Sequence, residues 1–247
     1  GTSAAKRGRR SEHHLPLVLV LFWLASQLLP GVPSIDLQAW KDAVKPLFAL
    51  QRWYWQGALL ATLCWLVCFH LLEHRAGWRL SPVALCVAAV CIFLARIVIV
   101  ENRLEPVAVS GLMCAILLWP SAARHWRGEY LAAALFVAYL LDVVAPFVSR
   151  GSPQGFGWMP FAGYLQGSML INAVALCRKL FVFGAVVLRF LGDKPRRMIW
   201  AAGLAACLLL LEVAQRYVGR GTPALTDPIL FLLLAWLITG RSGVARR

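Results

Sequence analysis

Residues 198–240 read MIWAAGLAACLLLLEVAQRYV, then GRGTPAL, then TDPILFLLLAWLITG: two apolar runs joined by a turn rich in Gly and Pro. Each run approaches the roughly 20 residues that a helix needs to cross the hydrocarbon core of a bilayer. The runs are continuous and do not alternate between apolar and polar residues, which favours helices over strands. This stretch therefore predicts two transmembrane helices joined by a short turn.

The rest of the chain repeats this pattern. Of its 247 residues, 60% are hydrophobic and 15% are charged, whereas a soluble domain carries about a quarter charged residues. Only helices and closed barrels satisfy their backbone hydrogen bonds in lipid. We expect an all-α, polytopic bundle of about eight transmembrane helices. The predicted runs are 15–30, 54–73, 82–100, 106–120, 129–148, 168–191, 198–218 and 226–240.

The chain carries a net charge of +14, yet its Lys and Arg residues stand mostly in short clusters between the apolar runs. Such clusters indicate membrane topology, whereas a nucleic-acid-binding protein presents a basic face on a polar fold. With the N-terminus on the cytoplasmic side, fifteen basic residues lie inside and seven lie outside. We therefore expect cytoplasmic termini, a lipid bilayer as the partner, and no nucleic acid.

Two long connections interrupt the succession of short turns. Residues 31–53 interleave apolar side chains with Asp and Lys, a spacing that predicts an amphipathic helix at the membrane surface. Residues 149–167 are rich in Gly and Pro with aromatic residues between them, a composition that suits the headgroup layer. Both connections fall on the external side of the predicted topology.

These connections occupy matching places, because each follows one helix and precedes three. Pro46 matches Pro160 at a spacing of 114 residues, and Pro106 matches Pro223 at a spacing of 117. The pattern favours two parallel four-helix repeats, an organisation common in transporters, although any eight-helix chain can be cut into similar halves. The predicted divisions are a basic cytoplasmic tail or tag remnant at 1–14, a first unit at 15–120, a second unit at 129–240, and a basic cytoplasmic tail at 241–247.

Ionisable residues within the apolar runs are candidates for function. A charged side chain at the centre of a membrane helix costs roughly 2.5 to 3.5 kcal/mol on insertion scales, so such residues face the bundle interior and have a partner or a role. The candidates are Arg96, Asp142, Arg178, Lys179 and Glu212.

The most informative polar residues join the last two runs. Glu212, Gln215 and Arg216 are spaced i, i+3 and i+4, so they share one helix face. Arg220 lies in the following turn, and Asp227 opens the last helix, where an acidic side chain suits the positive end of the helix dipole. Two interpretations stay open, namely an ionic cluster that pins the helices and a polar pocket for an external ligand.

This stretch resembles the signature of the VanZ family of bacterial membrane proteins. In that family a Glu-x-x-Gln on a helix precedes an Arg in a short loop and an Asp at the start of the last helix. The chain departs from the family pattern at Val182, Phe231 and Leu234. The resemblance covers about 129–240. The matching positions are Glu212, Gln215, Arg220 and Asp227, with Pro160 and Phe161 in the loop after the first helix of that unit.

The resemblance implies a non-enzymatic protein of the bacterial cytoplasmic (inner) membrane that is linked to resistance to teicoplanin-type glycopeptides. Its ligand would be a glycopeptide or a lipid-linked molecule at the external end of the last two helices. One alternative is a transporter or flippase, motivated by the repeat and the intramembrane charges. A second alternative is a membrane-embedded transferase that uses Glu212 or Asp227 as a general base.

Other chemical signals are weak. His70-Leu71-Leu72-Glu73-His74 spells a zinc signature, but no third ligand is evident, and polar residues at a helix end explain the pattern equally well. The seven Cys residues lie in apolar runs, where they act as small apolar side chains rather than as a disulfide framework. We predict no metal, no cofactor and no catalytic residue.

Overall fold

The computed structural model describes residues 2–48, 53–74, 80–100, 102–145, 147, 149, 152–165, 167–192, 196–218 and 222–244. These residues form a helical protein, which confirms the all-α prediction. In chain order the helices are α1 (Thr2–Leu28), α2 (Leu37–Val44), α3 (Trp55–His74), α4 (Pro82–Val98), α5 (Pro106–His125), α6 (Gly128–Val144), α7 (Met169–Val186), α8 (Arg197–Gln215) and α9 (Thr226–Val244).

Three short turns extend this framework. A 3-10 turn at Lys45–Phe48 continues α2, and another at Ala162–Leu165 lies in the connection before α7. A π-turn at Val187–Leu191 prolongs α7. Because a π-turn adds a residue to the helical repeat, it changes the direction in which the following side chains point.

The helix starts follow from local sequence. Pro82 and Pro106 each occupy the first turn of their helix, where proline has the required φ and no missing hydrogen bond. The Ser81 hydroxyl caps α4 by accepting a hydrogen bond from the amide of Ala84, and Asp36 caps α2 by accepting one from the amide of Gln38. The predicted starts of α4 at 82 and of α5 at 106 agree with the structure.

Four of the described helices contain segments long and apolar enough to cross a membrane: Trp55–Glu73, Pro106–Ala123, Met169–Leu191 and Arg197–Gln215. Three more apolar segments are shorter, namely His14–Leu28, Pro82–Val98 and Thr226–Thr239. A helix lies in each of the eight predicted runs, but a bundle of eight full-length spans is more than these lengths support. The apolar segments of α1, α4 and α9 have 17 residues or fewer, which is below the roughly 20 residues that a helix needs to cross the hydrocarbon core.

Helices extend into both predicted terminal tails. At the N-terminal end α1 begins at Thr2, within the predicted basic segment 1–14. At the other end α9 continues to Val244, into the predicted tail 241–247. Arg, Lys and Ala are good helix formers, so a helix nucleated in an apolar run extends readily into such flanks.

The helices of the two predicted units pack across each other. Helix α1 packs along α7, and α6 packs along α3. Trp23 of α1 contacts Trp65 of α3 and Phe181 of α7, with ring centres 5.4 and 5.3 Å apart. Gly184 lets α7 approach α1, because a Cβ at this position would collide with the Leu19 side chain. Close van der Waals packing of this kind is what holds helices together in lipid.

Each long connection is fastened to the end of a distant helix by an antiparallel bridge. In the first, Pro33 pairs with Ile99 after α4; in the second, Ser149 pairs with Val218 after α8. The chain after each first helix thus meets the chain after the third helix of the same predicted unit. This correspondence is what a repeated unit would produce, and the division at 15–120 and 129–240 stays a prediction.

Candidate functional site

A polar cluster lies where α6, α7 and α9 meet. The Lys179 ammonium donates a hydrogen bond to Oδ1 of Asp227 at 2.5 Å, and the Tyr139 hydroxyl donates one to Oδ2 at 2.5 Å. Both oxygens of the carboxylate are therefore occupied. The Asp227 side chain is 6% exposed and stands in the first turn of α9, where the helix dipole favours a negative charge. Three helices are joined through one buried carboxylate.

Glu212 adds a second carboxylate next to this cluster. It is buried on α8, and its Oε2 accepts a hydrogen bond from the amide of Ala224 at 2.9 Å. Ala224 lies in the short segment that leads into α9, so Glu212 ties α8 to the entry of α9. Gln215, one turn further along α8, is also buried.

The connection before α7 closes over this end of the bundle. Gly157 lies alongside Ala224, with hydrogen bonds from the Gly157 amide to Pro223 and from the Leu225 amide to Gly157. The amide of Phe161 donates to the Thr226 hydroxyl at 3.0 Å. Phe161 has a φ of +63°, which side-chain-bearing residues rarely adopt. The predicted Pro160–Phe161 loop is thus fastened directly to the first residue of α9.

Lys179 is partly accessible within the cluster. Its side chain is 27% exposed, and its ammonium lies 5.8 Å from the centre of the Tyr164 ring, close enough for a cation–π contact. Burial raises the pKa of the Tyr164 phenol, while the Lys179 ammonium acts in the opposite direction. Lys179 therefore stands between a buried carboxylate and the loop that covers it.

A second ion pair lies one residue away on α7. Arg178 contacts Asp142 of α6 at 3.0 Å. Because Arg178 and Lys179 are consecutive, they point to different sides of α7 and reach different carboxylates. The four charges divide into two pairs, each with its own partner.

The structure brings together only part of the site that the sequence predicts. Glu212 and Asp227 lie at the same end of the bundle, and the cation that the described residues place beside Asp227 is Lys179 of α7. Arg216 instead donates from Nε to the carbonyl of Gln154 at 3.2 Å and so holds the loop. Arg220 lies outside the described residues.

The cluster also contains three side chains that the sequence does not single out as site residues, namely Tyr139, Tyr164 and Thr226. One of them left a signal. Tyr139 precedes Asp142 by three residues, so the two side chains share a face of α6. An amphipathic Tyr beside an intramembrane Asp indicates a polar helix face that needs partners.

Arg96 lies in a different environment. It is buried on α4 and donates hydrogen bonds to Asn102 Oδ1, to the Arg103 carbonyl and to Gln27 Oε1 at 3.0, 2.8 and 3.3 Å. Asn102 in turn donates to the Gln27 carbonyl at 2.7 Å. These neutral acceptors hold the end of α4 against the end of α1, so Arg96 acts as a structural clamp.

The zinc signature also meets unsuitable neighbours. Nε2 of His70 lies 2.7 Å from Nη2 of Arg189, a cation that disfavours a metal ion at this position. Within the described part of the chain no three His, Cys, Asp or Glu side chains converge on a metal position. The side chain of His74 lies outside the described residues.

The arrangement offers two carboxylates, an ammonium and a phenol under a loop at one end of the helices. Such a set can exchange hydrogen bonds with a polar ligand. The VanZ resemblance stays a prediction carried by the sequence motif. No family model, no curated protein and no solved structure matches the chain.

Proposed function

We propose that the chain is a VanZ-like, non-enzymatic protein of the bacterial cytoplasmic membrane that binds a polar envelope ligand at the Lys179–Asp227 cluster. The ligand class is a glycopeptide of the teicoplanin type or a lipid-linked molecule. The observation that carries the proposal is the buried Asp227, which holds Lys179 and Tyr139 beneath a loop fastened to the same helix.

The cost of the cluster supports this role. An ion pair removed from water is often no more stabilising than apolar side chains of the same volume, so such a pair is weak as a purely structural device. Here Lys179 keeps 27% of its surface exposed, whereas Asp227 is nearly covered. An anionic or hydrogen-bond-accepting group of a ligand can approach the ammonium without the carboxylate being displaced.

The topology that we propose has eight spans, α1 and α3 to α9, with both termini in the cytoplasm. The shorter apolar segments have 14 to 17 residues, which corresponds to about 21 to 26 Å of helix. Segments of this length cross a locally thinned bilayer with help from flanking Arg and Lys side chains. Under this topology the cluster opens to the external side, where envelope ligands are found.

The two alternatives receive less support. A transporter needs a polar path between the predicted units, but Trp23, Trp65 and Phe181 fill their contact with aromatic rings. A transferase needs a nucleophile or a positioned substrate beside Glu212 or Asp227, and the contacts of these carboxylates are an amide, an ammonium and a phenol.

The test is a resistance assay in a bacterial host that expresses the full chain. We expect Asp227→Asn and Glu212→Gln to lower the inhibitory concentration of teicoplanin to that of cells without the protein, at equal protein levels in the membrane. Glu105→Gln, an exposed carboxylate at the start of α5, is the matched control and should keep full resistance. Full resistance in both cluster variants would remove the proposed site.

A further inference from the structure

A surface cavity separate from the polar cluster lies against α2. Its volume is about 600 Å³, and it is bounded by α2, the 3-10 turn that follows it and the end of α4. The lining side chains that matter here are Leu37, Lys41, Val44, Lys45, Phe48 and Ile97. The cavity is therefore apolar at its base and carries two ammonium groups.

The position of the cavity sets its depth in the membrane. Ile97 is the penultimate residue of α4, an apolar helix, so the cavity lies where that helix leaves the hydrocarbon. Phe48 is 83% exposed and Leu37 is 66% exposed, although both are apolar. Exposed apolar side chains on an amphipathic helix at this depth are typical of a helix that lies in the interface between acyl chains and headgroups.

The charged side chains of the cavity indicate which kind of molecule it binds. Lys41 and Lys45 are spaced i and i+4, so they stand on one face of the helix end, and Asp42 is the acid that also lines the cavity. Lysine stems pack along apolar surface while their ammonium groups reach toward phosphate. The excess of positive charge over an apolar base complements a molecule with an anionic head and a hydrocarbon tail.

We propose that this cavity binds one anionic phospholipid, with its phosphate on Lys41 and Lys45 and an acyl chain along Leu37 and Ile97. The bound lipid fixes α2 at the membrane surface beside the end of α4. This site does not depend on the ligand of the Lys179–Asp227 cluster, so either proposal can fail alone.

The experiment uses the full chain in nanodiscs of phosphatidylcholine with a trace of photoactivatable phosphatidylglycerol, followed by mass spectrometry of the labelled peptides. We expect the phosphatidylglycerol probe to label peptides from 37–48 more strongly than a photoactivatable phosphatidylcholine probe does. A lysine near an anionic headgroup contributes about fivefold in affinity, so Lys41→Gln with Lys45→Gln should reduce labelling by well over fivefold. The pair Lys41→Arg with Lys45→Arg should retain it.

The control is Arg103→Gln, an exposed cation after α4 that does not line the cavity, and its labelling should be unchanged. Equal labelling by the phosphatidylcholine probe would overturn the proposal, as would full labelling of the Gln pair or loss of labelling in the Arg pair. Cross-linking of 37–48 chiefly to another protein copy would overturn it too. Competition by excess inorganic phosphate would assign the site to free phosphate and would equally overturn it.

Discussion

The corner built around Arg96 and the corner built around Asp227 have similar scaffolds and opposite chemistry. In each, an antiparallel bridge fastens the chain after a first helix to the chain after a third helix. Arg96 is surrounded by two amide side chains and one backbone carbonyl, whereas Asp227 holds an ammonium and a phenol. The backbone arrangement does not require the carboxylates, because the first corner closes without them.

Residues that lie 117 positions apart in the two halves also differ in their chemistry. Ser110 precedes Asp227 by this spacing, and Thr62 precedes Lys179 by it. Both hydroxyls donate within their own helix, Ser110 to the Val107 carbonyl and Thr62 to the Ala58 carbonyl. At these positions the first half has neutral hydroxyl groups that donate within their own helix, whereas the second half has an ion pair. We therefore place the ligand in the second half.

The largest expected effect comes from removing the carboxylate. Asp227→Ala leaves the Lys179 ammonium and the Tyr139 hydroxyl without their partner, and we expect a loss of about 2 to 4 kcal/mol in the free energy of unfolding. Ser110→Ala at the related position should cost less than about 1 kcal/mol. Denaturant titration in detergent measures the free energy of unfolding of both variants. Equal losses in the two variants would contradict the difference between the two corners. Adding Lys179→Met to Asp227→Ala should restore part of the stability.

Removal of a cation should separate structure from function. Arg96→Met abolishes three partly buried side-chain hydrogen bonds, so we expect a loss of about 2 kcal/mol in stability with teicoplanin resistance retained. Lys179→Met should abolish resistance at a similar stability cost. Resistance assays at matched membrane levels test this pair. A resistant Lys179→Met variant, or a sensitive Arg96→Met variant, would reverse the roles.

Packing between the units should show a smaller effect. Gly184→Ala places a methyl group against Leu19 of α1, and overpacking of this kind costs about 1 to 3 kcal/mol. Gly203→Ala on α8 is the matched control, because a Cβ there meets no atom within 4 Å. Thermal unfolding of the two variants in the same detergent measures the difference. An unchanged unfolding temperature of the Gly184→Ala variant would show that α1 moves away from α7 at little cost in free energy.

The smallest effect concerns the loop anchors of the two corners. Thr226→Val removes the acceptor of the Phe161 amide, and we expect a loss of about 0.5 to 1.5 kcal/mol. Trp53→Phe removes the donor to the Ser110 hydroxyl at an exposed position, so its effect should be near zero. Hydrogen exchange of the Phe161 amide measures the first change directly. Unchanged protection in Thr226→Val would place the loop anchor elsewhere.

Several parts of this structure follow from the sequence because their causes are local. The starts of α4 and α5 follow from Pro82 and Pro106, and the amphipathic α2 follows from its alternation of apolar and charged residues. The length of α1 does not follow from its apolar run. The helix begins at Thr2, well before that run, because neither the charged residues nor Pro16 interrupt it. Helix formation in lipid tolerates such residues because the backbone has no alternative hydrogen-bond partner.

The sequence alone predicts a helical, apolar chain with Glu212 and Asp227 at the ends of adjacent helices. The cation that meets Asp227 depends on how the helices pack, because Lys179 lies 48 residues away and Tyr139 lies 88 residues away. Helical periodicity assigns a side chain to a face, but the partner of that face depends on how each helix is rotated and placed. That choice is made by side-chain packing between distant segments, such as Leu19 against Gly184, and no local pattern encodes it.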